Sequence, residues 1–156
     1  MAVFDIDGVL ADVRHRLHHI ESGRRDWDGF FDSASEDPAL AEGCQAALQA
    51  VASGLTLVYL TGRPERCRPD TVQWLSEHGL PEGELIMRRD SDRRPARVLK
   101  VDALRRIASQ AQVAYLVDDD AEVVSAATAA GFAARRADWV PRQEPLTKAQ
   151  ETLGRT

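Results

Sequence analysis

The sequence predicts an α/β protein: a doubly wound, mainly parallel sheet with a small insert after the first strand and no large cap. Two patterns carry that expectation. Apolar runs of strand length recur at Ala2 to Ile6, Leu55 to Leu60, Leu85 to Met87 and Val113 to Val117, with a fifth near Phe132. They are continuous rather than alternating, as in strands buried on both faces. Between them lie helical patterns at Pro38 to Ser53, Pro69 to His78, Val101 to Ser109 and Ala121 to Ala130. Strand alternating with helix implies right-handed crossovers.

In chain order, the first strand runs into Asp5, Asp7 and Gly8. Residues 13–37 then break the rhythm; they are too long for a plain connection and too short for a domain, and read as a small lid or insert. The second strand is followed by Thr61, Gly62 and Arg63. Gly79 and Gly131 follow helices and suit C-caps. An arginine-rich loop leads to Lys100, placed at the start of the next helix, and the fourth strand runs into Asp118, Asp119 and Asp120. Asp120 opens a helix and reads as its N-cap. Residues 1–140 thus form one domain, and the polar, proline-punctuated stretch 141–156 reads as a frayed tail or the start of a linker.

A chain of 156 residues with 44% hydrophobic and 29% charged residues and a net charge of -5 fits one domain with its own core. No global basic field recruits nucleic acid. No apolar run approaches the roughly 18 residues that span a bilayer, so the expected compartment is the cytoplasm, with no membrane partner. Cys44 and Cys67 read as two reduced thiols. All but two of the 20 basic residues are arginine; the lysines are Lys100 and Lys148.

In an open α/β sheet, ligands bind outside the carboxyl ends of the strands. Asp5, Asp7, Thr61, Lys100, Asp118 and Asp119 would all converge there. Such a collection is costly unless something binds between the charges. The expected occupant is Mg²⁺, a hard cation that takes carboxylate oxygens and pairs with phosphate. A carboxylate can attack phosphorus, a role for which Asp5 is placed. Asp7 could protonate the leaving oxygen and later deprotonate water, provided its site protonates it at the right moment.

The ordered motifs DIDGVLAD from Asp5, LTGRP around Thr61, Lys100 and LVDDD around Asp118 resemble those of the haloacid dehalogenase-like (HAD) phosphohydrolases over nearly the whole chain. The resemblance implies a Rossmannoid fold, with Asp5 as nucleophile, Asp7 as acid/base, and Thr61 and Lys100 as phosphate binders. It implies Mg²⁺ on Asp5, Asp118, Asp119 and the backbone carbonyl of Asp7. An acid two residues past the nucleophile looks like a phosphatase signature. TGRPERCRPDTVQWL, MRRDSDRRPARVLK and VDDDAEVV are similar to the 3'-phosphatase domain of polynucleotide kinase/phosphatase. By that analogy Gly62, Arg63 and Arg88 bind substrate, a nucleotide or nucleic-acid end, with no obligate protein partner evident. The chain departs from the pattern at Ala96, where an acid is expected, and it has no GxxxxGK[ST] loop for a kinase half.

Other readings stay open. His15, His18 and His19 share one helical face, as lid packing or as a second metal site. Trp27, Phe30 and Phe31 either anchor the insert or stack a base. Arginines near Lys100 form either a patch for a polyanion or a solvated face paired with Asp90, Asp92 and Asp102. A general small-metabolite phosphatase and a receiver-like phosphoacceptor module are the alternatives in function, though a receiver places its acid pair before its acceptor.

Overall fold

The computed structural model describes residues 1–21, 24–141 and 143–156; Ser22 and Gly23 of the expected insert and Arg142 of the expected tail lie outside them. The elements are β1 (Ala2–Phe4), α1 (His18–Glu21), α2 (Trp27–Asp32), α3 (Ala41–Ala52), β2 (Leu57–Pro64), α4 (Arg68–Glu77), β3 (Gly83–Arg88), α5 (Ala96–Ala108), β4 (Tyr115–Asp118), α6 (Ala121–Ala129), β5 (Ala134–Arg136) and α7 (Glu144–Glu151). The five strands form one sheet in the order β3-β2-β1-β4-β5. Every pairing is parallel.

Helices cover both faces, which is why the strands read as continuous apolar runs. On one face Phe4, Leu57, Tyr59 and Val117 pack with Ala47, Ala50, Trp74 and Leu75 of α3 and α4. On the other, Val3, Val58, Leu60 and Leu116 pack with Ala96, Ala103, Leu104, Val123 and Ala127 of α5 and α6. The expected C-caps Gly79 and Gly131 have φ of 65° and 90°, the left-handed conformation that costs glycine nothing. Trp74 is buried and its Nε1 donates to the Asp37 carbonyl at 2.7 Å, while Trp139 packs at the edge of the core. Cys44 and Cys67 are free thiols. No helix among the described residues is long and apolar enough to cross a membrane.

The insert is a set of short turns and helices over the carboxyl ends of β1 and β2. Val13, Leu17, Ile20, Phe30 and Phe31 form a third cluster with Cys67 and Met87, closed by Leu146 and Ala149 of α7. Within the expected tail, Glu144–Glu151 form α7, which is packed rather than frayed because Leu146 and Ala149 enter the insert's core. The sequence expectation underweighted Leu146 and Ala149, which are spaced for one helical face.

Candidate active site

β1 ends where the chain order of the sheet reverses, with β2 on one side and β4 on the other, the position at which such sheets bind ligands. Asp5 leaves β1 buried, with its Oδ1 accepting from the Ile6 amide at 2.7 Å. Asp118 closes β4, its Oδ1 accepting from the Asp120 amide at 3.0 Å. Asp120 accepts in turn from the Glu122 amide at 2.9 Å, the expected N-cap of α6.

Lys100 lies in the second turn of α5 rather than at its start, because the helix begins at Ala96. Ala96, Lys100, Ala103, Leu104 and Ile107 are all buried and share the stripe that α5 turns to the sheet. A lysine on that apolar stripe is aimed inward, and its Nζ reaches Asp5 Oδ2 at 2.5 Å and Asp118 Oδ2 at 2.7 Å. Ala96, the position where an acid was expected, is wholly buried in the α5 core.

Asp5, Asp118 and Asp119 bring ligand oxygens within 4.8 Å of one another. Three carboxylates against one ammonium leave two negative charges in a buried space. The titration behaviour follows: burial, with Asp118 nearby, pushes Asp5 up to about 7 despite Lys100, and burial with Asp118 and Asp5 pushes Asp119 well above the carboxylate range. Burial alone would lower Lys100, but Asp118 and Asp5 raise it, so it stays charged. Asp119 Oδ1 is buried with no hydrogen-bond partner. Gly8, at φ 78°, leaves this carboxylate its room. The donor set and the orphaned oxygen fit a hard divalent cation.

Asp7 faces a different group. Its Oδ1 accepts from Arg16 Nη2 at 2.9 Å and Arg63 Nε at 2.8 Å. Both arginines also reach Asp37, at 2.7 Å from Arg16 Nε and 2.7 Å from Arg63 Nη2. All four side chains are at most 2% exposed. Burial would raise Asp7, but Arg16 and Arg63 outweigh it and hold the carboxyl at about 2. The condition attached to an acid role for Asp7, protonation by its site, is therefore not met in this arrangement. Arg63, expected to bind substrate, is engaged here by the two carboxylates. Neither Arg16 nor Asp37 was singled out in the sequence; their pairing spans 21 residues, and Arg63 reaches Asp7 across 56, so no local signal marks it.

Thr61, Gly62 and Arg63 occupy a register shift between Leu60 and Pro64, where β2 leaves its regular pairing with β3. A bulge of this kind re-aims side chains at a strand end. Thr61 is buried and its Oγ1 accepts from the Arg63 amide at 3.2 Å. Arg88 has carbonyl partners, Gly62 at 3.3 Å, Arg94 at 2.8 Å and Thr156 at 3.0 Å, and its nearest carboxylate, Asp92, is 4.0 Å away. Burial lowers its pKa. A buried guanidinium beside Gly62 whose hydrogen-bond partners are main-chain oxygens has the chemistry to take an anion.

His15 Nε2 lies 2.8 Å from Asp37, and among the described residues no histidine joins a metal-competent cluster. Phe30 and Phe31 anchor the insert; Trp27 is only partly buried. Among the arginines near Lys100, two have the expected surface partners, Arg94 with Asp92 and Asp102, both at 2.7 Å, and Arg105 with Asp102 at 3.6 Å, while Arg97 pairs with Glu151.

Residues 1–136 match the family described as the polynucleotide kinase PNKP phosphatase domain. A chain of the Pnkp1/Rnl/Hen1 complex is 22% identical, with a TM-score of 0.73 over 87% of this chain and 44% of that one. This chain thus spans less than half of that relative. A class C acid phosphatase from Bacillus anthracis, solved with tungstate bound, is 15% identical, with a TM-score of 0.64 over 78% of this chain and 52% of its own. D,D-heptose 1.7-bisphosphate phosphatase from B. bronchiseptica, complexed with magnesium and phosphate, is 20% identical, with a TM-score of 0.51 over 85% and 77%. No curated protein matches the chain by sequence. The sheet order, the strand-end carboxylates and the family match over residues 1–136 agree: the chain belongs to the PNKP phosphatase domain family of HAD phosphatases.

Proposed function

We propose that this phosphatase is a Mg²⁺-dependent phosphomonoesterase that works through an aspartyl-phosphate on Asp5, acting on a nucleotide or on the 3'-phosphate of a polynucleotide. One observation carries the chemistry: a buried cluster of Asp5, Asp118 and Asp119 with Lys100 as its lone cation and one carboxylate oxygen without a partner. Mg²⁺ held by these three carboxylates and the Asp7 carbonyl would neutralise charge on the phosphoryl oxygens. Lys100 aligns the Asp5 carboxylate and, with Thr61, Gly62 and Arg88, receives the phosphoryl oxygens.

The Asp5 carboxylate attacks phosphorus, the bond from phosphorus to the leaving oxygen breaks, and that oxygen takes a proton. Water then attacks phosphorus, releasing Asp5 and giving a proton to Asp7. Asp7, ionised between Arg16 and Arg63, is already in the state for the second step. For the first it must gain a proton, which requires the two arginines to loosen their grip. That the similarly folded B. bronchiseptica phosphatase was solved complexed with magnesium and phosphate, and the Bacillus anthracis one with tungstate bound, supports an oxyanion ligand here.

The preference for a polynucleotide end rests on the family match and on Arg88. Phosphate release is measured with Mg²⁺ from matched oligonucleotides bearing a 3'- or a 5'-phosphate and from nucleoside monophosphates, with Asp5→Asn as control. The expected result is strong preference for the 3'-phosphate strand. Comparable rates on all three, or preference for monomers, would leave a small-molecule phosphatase.

A further inference from the structure

Arg155 and Thr156 lie against groups that the proposed function assigns to the substrate. Thr156 is 3% exposed, its carbonyl accepts from Arg88 Nη2 at 3.0 Å, and its Oγ1 stands 3.5 Å from Asp7 Oδ2. A Cβ added to Gly62 would run into the Thr156 main chain, so this residue lies directly on the glycine beside the anion seat. One residue back, the Arg155 guanidinium lies over the Trp27 ring, 5.5 Å from its centroid. That ring faces a cleft of about 150 Å³ that continues from Arg88 past Pro64 to Arg66 and Arg93.

The segment is held in two unequal parts. α7 is anchored by Leu146 and Ala149 in the insert's core and by Glu151, which takes the Arg97 amide at 3.0 Å and pairs with the Arg97 guanidinium. Residues 152–156 place no apolar side chain in the core. They turn back on the helix through three amide hydrogen bonds, Thr152 and Leu153 to the Lys148 carbonyl, both at 3.1 Å, and Arg155 to the Ala149 carbonyl at 3.0 Å. Gly154, at φ 56°, supplies the turn and lies tight against the Arg93 carbonyl.

We propose that residues 152–156 are an internal occupant of the substrate groove: Thr156 holds the phosphoryl seat at Gly62 and Arg88, Arg155 holds the aromatic shelf at Trp27, and an incoming phosphate monoester binds by displacing them while α7 stays docked. The substrate so admitted has an oxyanion at one end and a flat ring one group away. The proposal rests on the reading that Gly62 and Arg88 seat the phosphoryl group. Its consequence is that apparent affinity is reduced by the fraction of molecules with the segment in place.

The test is hydrogen exchange of the 153–156 amides in the full chain with Mg²⁺, with and without inorganic phosphate, alongside phosphate affinity by calorimetry for the wild type and Gly154→Val. Valine strains the turn and clashes with Arg93, which lifts the segment. Exchange at Leu153 and Arg155 should quicken at least tenfold when phosphate binds, the α7 amides should not change, and Gly154→Val should bind phosphate more tightly. Phosphate binding with unchanged or slower exchange would overturn the proposal and make the segment a fixed wall of the site. Failure of both proteins to bind phosphate would overturn it together with the phosphoryl-seat reading, whereas binding by the variant alone would support it.

Discussion

Asp5 and Asp7 leave the same strand end two residues apart, yet their surroundings differ in sign. Around Asp5 lie two more carboxylates, Asp118 and Asp119, and Lys100 is the cation that reaches in. Around Asp7 the count balances, Asp7 and Asp37 against Arg16 and Arg63. The outcome is a carboxyl pushed up to about 7 on one side and one held at about 2 on the other. An unbalanced buried cluster is unfinished without another cation, while a balanced one has its charges compensated. The first is where phosphoryl chemistry belongs. The second ties the insert to β1 and β2 and sets the ionisation of the residue assigned to proton transfer.

That contrast is open to direct attack. Asp5→Asn should lower turnover by at least about a thousandfold while circular dichroism shows the fold intact, since a reaction through a covalent step collapses without its nucleophile. Residual turnover within tenfold of wild type would dismantle the assignment. Arg16→Met should act on stability: removing one partner of a buried ionic group leaves a charge uncompensated, at about 3–5 kcal/mol. Urea unfolding reads this, and a loss under about 1 kcal/mol would mean that water already reaches the group. On the unbalanced side, Mg²⁺ at a hundred times its dissociation constant should stabilise the fold by about 2.7 kcal/mol, and Asp119→Asn should blunt the effect. Equal thermal shifts in both proteins would place the ion elsewhere.

The smallest effect belongs to a surface control. Hydrogen bonds from Arg94 hold Asp92 at about 2, below its ordinary range. A depressed carboxylate contributes stability that is present above the unfolded pKa and is lost as pH falls through the folded one. Asp92→Asn should therefore cost no more than about 1 kcal/mol at pH 7, and the difference from wild type should vanish as pH drops from about 4 to about 2. A cost that persists in acid would point to packing rather than charge.

The unbalanced cluster was legible in the sequence and the balanced one was not. Asp5, Thr61, Lys100 and Asp118 each follow a strand-length apolar run or sit on an amphipathic helix, so local pattern places them. Arg16, Asp37 and Arg63 meet only because the insert folds over the strand ends, a contact set by Leu17 and Phe30 of the insert and Leu146 of α7. The last segment was misread for the same reason: its polar composition hid Leu146 and Ala149, whose partners lie in the insert. The strands and the helices α3, α4 and α6 lie within a few residues of the expected spans, α5 starts at Ala96 rather than Val101, its first turn concealed by the arginines around it, and α1, α2 and α7 were not expected as helices.

The most direct test of the account asks whether the Asp5 carboxylate becomes phosphorylated. In an Asp7→Asn background, which slows attack by water, turnover is quenched in acid, acyl-phosphate is reduced with borohydride, and the N-terminal peptide is sequenced by mass spectrometry. The account predicts homoserine at position 5 and none when Asp5→Asn is added. Unmodified Asp5 in a protein that has released the leaving group would contradict it.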